Sequence, residues 1–135
     1  MMALKHTERT WACYMRRAAA EVGIPDSYRH IIMFLSRHPG SSQKELAEFS
    51  RTTYAAVSQT VKEMQLTGYI IKEEDPQDRR YARLSLTEKG QDAAQRVLEK
   101  LRFADGIITD AIGEKKEQEL IELMDKISQI IKEQL

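Results

Sequence analysis

Two neighbouring stretches of the sequence carry the side chains best suited to contact a nucleic acid. The first is a predicted helix over about Tyr54 to Leu66, whose apolar residues recur on one face. The opposite face combines a hydroxyl, an amide, a methyl and a cation, and we expect no carboxylate there: Tyr54, Ala55, Ser58, Gln59 and Lys62. A helix fits the major groove of DNA, where such groups reach base edges. Phosphates would attract Lys62 and the nearby Arg51.

The second stretch is the charged loop from Asp75 to Arg80. Its proline and aspartates predict a turn, from which Arg79 and Arg80 project. A guanidinium on a narrow arm can enter the minor groove of DNA, where the negative potential is strongest. Asp75 and Asp78 would hold an arginine in a bidentate pair and set its direction.

A short helix precedes the predicted helix over Tyr54 to Leu66. Ser42 and Glu45 form a capping box that opens this helix, and Thr53 is placed to cap the next one, which ends at Gly68. We expect three side chains of the short helix to point into the core: Leu46, Ala47 and Phe49. A three-residue break, 50–52, joins the two helices, and this pattern predicts a helix-turn-helix.

A change of period marks a β-hairpin after the helix-turn-helix. The stretches Tyr69–Glu74 and Tyr81–Leu86 alternate apolar and polar residues, with the charged loop between them. The second stretch places three residues on one side: Ala82, Leu84 and Leu86. Thr87 then caps a long helix. The sequence therefore predicts a winged helix-turn-helix.

Amphipathic helices flank this unit. The first two are predicted over about His6 to Val22 and Asp26 to Arg37, and the last over about Glu114 to Gln134. The last helix carries a leucine and isoleucine stripe that needs an apolar partner, so we expect it to form a dimer. We expect an α+β, mainly helical fold: an N-terminal dimerisation helix at 1–24, a winged helix at 25–90 and C-terminal dimerisation helices at 91–135.

Composition narrows the class of function. The 21 basic and 21 acidic residues balance, but residues 1–24 carry a net charge of +2 and residues 91–135 carry −3. DNA binding must therefore depend on a local basic face. The sequence has no nucleophile beside a placed base and no glycine-rich phosphate loop, so we expect no enzyme and no cofactor. One cysteine and the lack of a long apolar run predict a cytoplasmic protein that does not bind membranes.

Five segments together resemble the MarR family of bacterial winged-helix repressors. They are Leu46-Ala47, Val57-Ser58, Gly68-Tyr69-Ile70, Asp75–Arg80 and Leu86-Thr87-Glu88-Lys89-Gly90. The resemblance implies a homodimer that places one recognition helix per protomer in the major groove of a pseudo-palindrome, and a wing in the minor groove. It also implies release of DNA by a small phenolic or aromatic acid, or by cysteine oxidation.

Carried over by position, the resemblance implies a reading surface made of Thr53, Tyr54, Ala55, Ser58, Gln59 and Lys62. It implies that Arg80 is the wing-tip arginine and Asp78 its partner. The sequence departs from the family at two places. The stretch before the first helix is short, and Ser50 stands where a leucine is common, so we expect Phe49 to fill the core instead.

Other residues admit a functional and a structural interpretation. Tyr14, Arg17 and Tyr28 could line an effector pocket for an aromatic carboxylate, or they could pack at an interface. Cys13 could sense oxidants, since arginines lie close in sequence, or could serve as a small apolar residue. The histidines are not spaced as a metal-ligand set, and we expect no metal site: His6, His30 and His38. The rival function is a winged-helix protein-interaction module without DNA readout.

Overall fold

The computed structural model describes residues 2–50, 52–75, 77 and 82–135. Within these ranges the elements are α1 (Met2–Val22), α2 (Asp26–Arg37), α3 (Gln43–Ser50), α4 (Tyr54–Leu66), β1 (Ile70–Glu74), β2 (Ala82–Leu86), α5 (Glu88–Ile112) and α6 (Glu114–Lys132). The chain forms two compact units, residues 1–98 and 99–135. None of the described helices is both long enough and apolar enough to span a bilayer.

The first two helices form one wall of the core. α1 starts at Met2, earlier than predicted, because residues 2–10 favour helix although they lack the apolar stripe. Gly23 adopts a positive φ of 83° and ends this helix, and Pro25 stands just before α2. The residues of α1 and α2 that enter the core are Met15, Ala18, Ala19, Val22, Tyr28, Ile31, Ile32, Phe34 and Leu35.

The two caps of the helix-turn-helix are confirmed. The Ser42 hydroxyl accepts the Glu45 backbone N–H at 3.2 Å, and the Glu45 carboxylate accepts the Ser42 backbone N–H at 2.7 Å. The Ser42 backbone N–H and the Ser42 hydroxyl both donate to the Glu45 carboxylate, and these two bonds hold the pKa of Glu45 below its ordinary value. The Thr53 hydroxyl accepts the Ala56 N–H at 3.2 Å and fixes where α4 starts.

The prediction that Phe49 fills the core is wrong. Leu46 and Ala47 are buried, but Phe49 is 60% exposed, with its ring 4.6 Å from that of Phe34. The reason is helical geometry: Phe49 lies one residue, about 100°, from Ser50 around the helix axis and cannot occupy its place. Ser50 itself is half-buried, and its hydroxyl donates to the Leu46 carbonyl at 2.7 Å.

The wing is an antiparallel hairpin whose register runs from Ile70 opposite Leu86 to Glu74 opposite Ala82. Leu84 and Leu86 are buried, as the alternating pattern predicts. Leu84 also exchanges two backbone hydrogen bonds of 2.8 Å with the segment before α3, through the Gly40 N–H and the Ser41 carbonyl. This third, short pairing attaches the hairpin to the helix-turn-helix. Tyr81 lies outside the described residues.

The residues at the start of α5 are hydrogen-bonded to the residues that follow α4. The Thr87 hydroxyl donates to the Gly68 carbonyl at 2.6 Å, and the Lys89 ammonium donates to the Thr67 carbonyl at 2.8 Å. The same Thr87 oxygen accepts the Gly90 N–H at 3.1 Å, which confirms Thr87 as a cap. A Cβ at Gly90 would overlap the Tyr69 carbonyl oxygen. This close packing is the physical reason for a glycine at position 90, three residues after Thr87.

The second unit, residues 99–135, is built from the end of α5 and from α6. Gly113 has a φ of 82° between the two helices, and the Thr109 hydroxyl donates to the Glu117 carboxylate at 2.6 Å. No residue of α6 is buried in the single chain. Its exposed large apolar side chains are Leu120, Ile121, Leu123, Met124, Ile127, Ile130 and Ile131.

Candidate nucleic-acid interface

The outward face of α4 is polar and accessible. Val57, Val61 and Met64 are buried and fix the rotation of the helix. The opposite side therefore points to solvent. Tyr54 is 58% exposed; the other exposed members of the predicted reading surface are Thr53, Ala55, Gln59 and Lys62, and Ser58 is half-buried. Arg51, which we predict to contact phosphate, lies outside the described residues.

One carboxylate shares this face, so the expectation of a carboxylate-free surface is wrong. Glu63 lies four residues after Gln59 and is exposed. Its Oε1 accepts a 2.9 Å hydrogen bond from the Gln59 side-chain amide. The amide is thereby oriented, and the negative charge of Glu63 opposes that of a phosphate. The sequence signal for this pair is the ordinary i, i+4 spacing.

The predicted wing-tip residues Asp78, Arg79 and Arg80 all lie outside the described residues. The structure does describe the two ends of that loop. Asp75, directly after β1, accepts a hydrogen bond of 2.9 Å from Nε of Arg83 on β2, and Nη2 of the same arginine lies 2.9 Å from Asp75 Oδ2. Asp75 is thus paired with an arginine, as predicted, but Arg83 was not among the predicted site residues. The signal was available, because opposite charges flank both ends of the hairpin loop.

A chain of three polar side chains runs along α2. Asp26 Oδ1 accepts from Arg29 Nε at 2.7 Å, and Arg29 Nη2 donates to His30 Nε2 at 2.9 Å. Burial, followed by the neighbouring Arg29 charge, lowers the pKa of His30. His30 also lines a pocket of about 320 Å³ beside the first turns of α4, whose hydroxyl-bearing walls are Ser27, Ser50, Thr52 and Thr60.

The three predicted effector residues have separate surroundings in the single chain. Tyr14 stacks on Trp11 with ring centroids 5.6 Å apart. Arg17 is exposed and pairs with Glu21 at 3.1 Å. Tyr28 is only 5% exposed and its ring meets Tyr69 edge to face. An effector site at Tyr14, Arg17 and Tyr28 stays a prediction.

A different pocket, of about 460 Å³, opens between α2, β2 and the start of α5. Its apolar walls include Met33, Leu86, Ala94 and Leu98, and Arg37 stands in its lining. Arg37 has no ion-pair partner among the described residues. An apolar cavity with one guanidinium suits a small organic acid. This pocket was not predicted from the sequence, because its walls come from segments far apart in the chain.

The remaining candidate residues form no cluster. Cys13 is exposed on α1, and oxidant sensing there stays a prediction. His6 lies on α1, and His38 at the end of α2 has its ring 4.9 Å from that of Phe34. Throughout the described ranges, no three histidine, cysteine or carboxylate side chains are grouped so as to hold a metal ion.

A helix-turn-helix followed by a hairpin that packs against it defines a winged-helix fold. Residues 22–80 match the family model described as the MarR family. An uncharacterized HTH-type transcriptional regulator of Bacillus cereus is 31% identical over 98 residues, which cover 72% of this chain but only 65% of that protein. The winged-helix part of the chain is therefore similar to the MarR family, and the chain aligns with less than two thirds of the relative's length.

Two solved structures share the fold at low sequence identity. A MarR transcriptional regulator from Methanosarcina mazei superimposes with a TM-score of 0.83 at 19% identity, covering 99% of this chain and 96% of the other. The transcriptional repressor CouR, solved bound to a 23-mer DNA duplex, gives a TM-score of 0.81 at 20% identity, covering 93% and 89%. At such identities the likeness concerns the fold.

Proposed function

We propose that the protein is a transcriptional repressor that binds a pseudo-palindromic DNA operator as a homodimer. The observation that carries the proposal is the exposed polar face of α4, held outward by Val57, Val61 and Met64. Its side chains reach base edges in the major groove. The hairpin that follows carries Arg79 and Arg80 in its loop, which enter the minor groove. The fold shared with CouR, which was solved on DNA, supports this assignment.

The exposed apolar side chains of α5 and α6 support the proposed dimer. α6 has no buried residue in the single chain, although it carries seven large apolar side chains. A second copy of the chain would cover this surface. Two recognition helices would then lie roughly 34 Å apart, one turn of DNA, and read successive major grooves.

If the protein binds DNA as proposed, its affinity for a duplex should depend strongly on salt and on Arg80. Because binding displaces counterions from phosphates, log affinity for a selected duplex should fall linearly as log salt rises. We expect Arg80→Ala to weaken binding by about 1–3 kcal/mol. The slope of log affinity against log salt concentration should fall in magnitude by about one, since one cation leaves the interface. Fluorescence anisotropy at four salt concentrations measures both quantities.

Arg96→Ala is the matched control for Arg80→Ala, because it removes the same charge from the exposed surface of α5. We expect its affinity and slope to stay close to those of the wild type. If the wild-type protein binds no duplex from a randomised pool at any salt concentration, the protein-interaction module becomes the better assignment.

The proposal includes release of DNA by a small aromatic acid. The pocket beside Arg37 offers apolar walls for a ring and a guanidinium for a carboxylate. A ligand that prefers a protomer arrangement with another helix spacing lowers DNA affinity by that preference alone. α5 would carry the change, because its residues 91–98 line the pocket, while Lys89 and the preceding Thr87 hold the end of α4.

Release predicts that benzoate-type acids weaken operator binding through Arg37. We expect about a tenfold loss of affinity at saturating acid, a typical coupling between two sites. Arg37→Gln should abolish the response, whereas Arg17→Gln should preserve it if this pocket, and not the one predicted at Tyr14, Arg17 and Tyr28, is used. Titration of operator complexes with the acid measures the response. If no acid in a panel changes operator affinity, the proposed release by a small acid is wrong, while the proposed DNA binding is unaffected.

A further inference from the structure

We propose that the ion pair between Asp75 and Arg83 is a positioning device that aims the wing loop at DNA. The inference rests on the proposed DNA-binding function and deepens it. Asp75 directly follows β1 and Arg83 is the second residue of β2, so the pair flanks the segment that contains Arg79 and Arg80. Neither Asp75 nor Arg83 needs to touch DNA for this role.

The geometry of the pair is specific for arginine. Arg83 Nε donates to Asp75 Oδ2 at 2.9 Å, and Arg83 Nη2 lies 2.9 Å from the same oxygen. The other carboxylate oxygen, Oδ1, accepts the Gln77 backbone N–H at 2.8 Å. Asp75 therefore contacts both Gln77 and Arg83 on β2. A lysine at position 83 would present a single point charge in place of two directed donors.

The pair is braced against the helix-turn-helix. Arg83 Nη1 lies 3.9 Å from the position of a Cβ at Gly40, so the guanidinium rests over the segment before α3. That segment is itself bonded to Leu84, the residue after Arg83. Asp75 is only 15% exposed, while Arg83 is 52% exposed. The partly buried carboxylate thus anchors the loop to the body that also holds α4.

Local charge argues against a phosphate contact by Arg83 itself. A small cavity of about 300 Å³ is lined by both Asp75 and Glu45 around this one guanidinium. Glu73 faces Arg83 across the hairpin. Among the described residues these carboxylates outnumber the one guanidinium, which disfavours a phosphate at Arg83. The pair's contribution is the ordering of the loop before binding, which lowers the entropy lost when DNA fixes it.

The test compares two substitutions that remove one negative charge each from the same hairpin. Asp75→Asn breaks the charged pair, whereas Glu73→Gln changes an exposed carboxylate directly beside it. Charge alone would make both variants bind a duplex more tightly. A positioning role predicts the opposite sign for Asp75→Asn: about tenfold weaker binding. Arg83→Lys keeps the net charge and should show the same loss, and thermal unfolding of each variant checks the fold.

A second background separates positioning from a general loss of structure. In the Arg80→Ala variant the loop has lost its main contact, so Asp75→Asn should have almost no further effect on affinity. Equal affinities of Asp75→Asn and Glu73→Gln in a protein whose wild type binds DNA would overturn this inference alone. If Asp75→Asn weakens binding in the Arg80→Ala background as much as in the wild type, this inference is overturned as well. No binding by the wild type would overturn the proposed function and this inference together.

Discussion

Gly90→Ala is expected to destabilise the protein by about 3 kcal/mol. The added methyl would overlap the Tyr69 carbonyl oxygen and would lie 3.1–3.2 Å from side-chain atoms of Leu86. The Tyr69 atom belongs to the backbone and accepts the Thr87 N–H at 3.0 Å, so it cannot move without breaking that bond. For a chain of this length we expect the melting temperature to fall by roughly 10 °C.

Gly106→Ala is the matched control in the same helix. No atom lies within 4 Å of a Cβ at Gly106, and alanine favours helix over glycine. We expect this variant to be more stable by about 0.5–1 kcal/mol. Thermal and urea unfolding at one fixed protein concentration measure both changes. A Gly90→Ala protein as stable as the wild type would show that α5 does not pack on the α4–β1 turn as described.

Ile127→Glu is expected to weaken the proposed homodimer at least a hundredfold. Ile127 lies at the centre of the apolar side of α6, with Leu120, Met124 and Ile131 around it. Burying a carboxylate among apolar groups without a partner costs several kcal/mol. Since the proposed operator binding uses two protomers, affinity for the full palindrome should fall with dimerisation, while affinity for a half-site should change little.

Gln129→Glu adds the same charge on the opposite side of α6 and serves as the control. We expect it to leave the dimer intact. Sedimentation equilibrium over a wide concentration range gives the dissociation constants of the wild type and both variants. If the Ile127→Glu protein remains a dimer with unchanged affinity, the apolar side of α6 does not form the interface.

The proposed DNA interface carries carboxylates beside its cations. Glu63 on α4 and Asp75 in the wing each oppose the attraction that Lys62 and the wing arginines exert on phosphates. Non-specific binding depends on that attraction, so a protein of zero net charge should bind random DNA weakly. Recognition must then depend on directed contacts. The orientation of Gln59 by Glu63 and the fixing of the loop ends by Asp75 both serve that purpose.

Local patterns in the sequence determined the secondary structure of the winged helix. The capping box at Ser42 and the cap at Thr53 set where α3 and α4 begin, and both were predicted. α2 and α4 have the predicted bounds, because their apolar periodicity and end signals lie within a dozen residues. Alternation likewise fixed which side of β2 is buried. Such signals depend on neighbours in the chain, so they can be read before folding.

Only the tertiary structure decided how these elements meet. Phe49 is exposed because the rotation of α3 against the core is set by packing, and Gln59 is bonded to Glu63 because both lie on the side of α4 that packing leaves free. Arg83 rests over Gly40, far away in sequence, and the Gly90 requirement comes from the Tyr69 carbonyl. Arg83 and Gly40 are 43 positions apart, and Gly90 and Tyr69 are 21 apart. These two contacts can form only once the chain has closed the intervening loops.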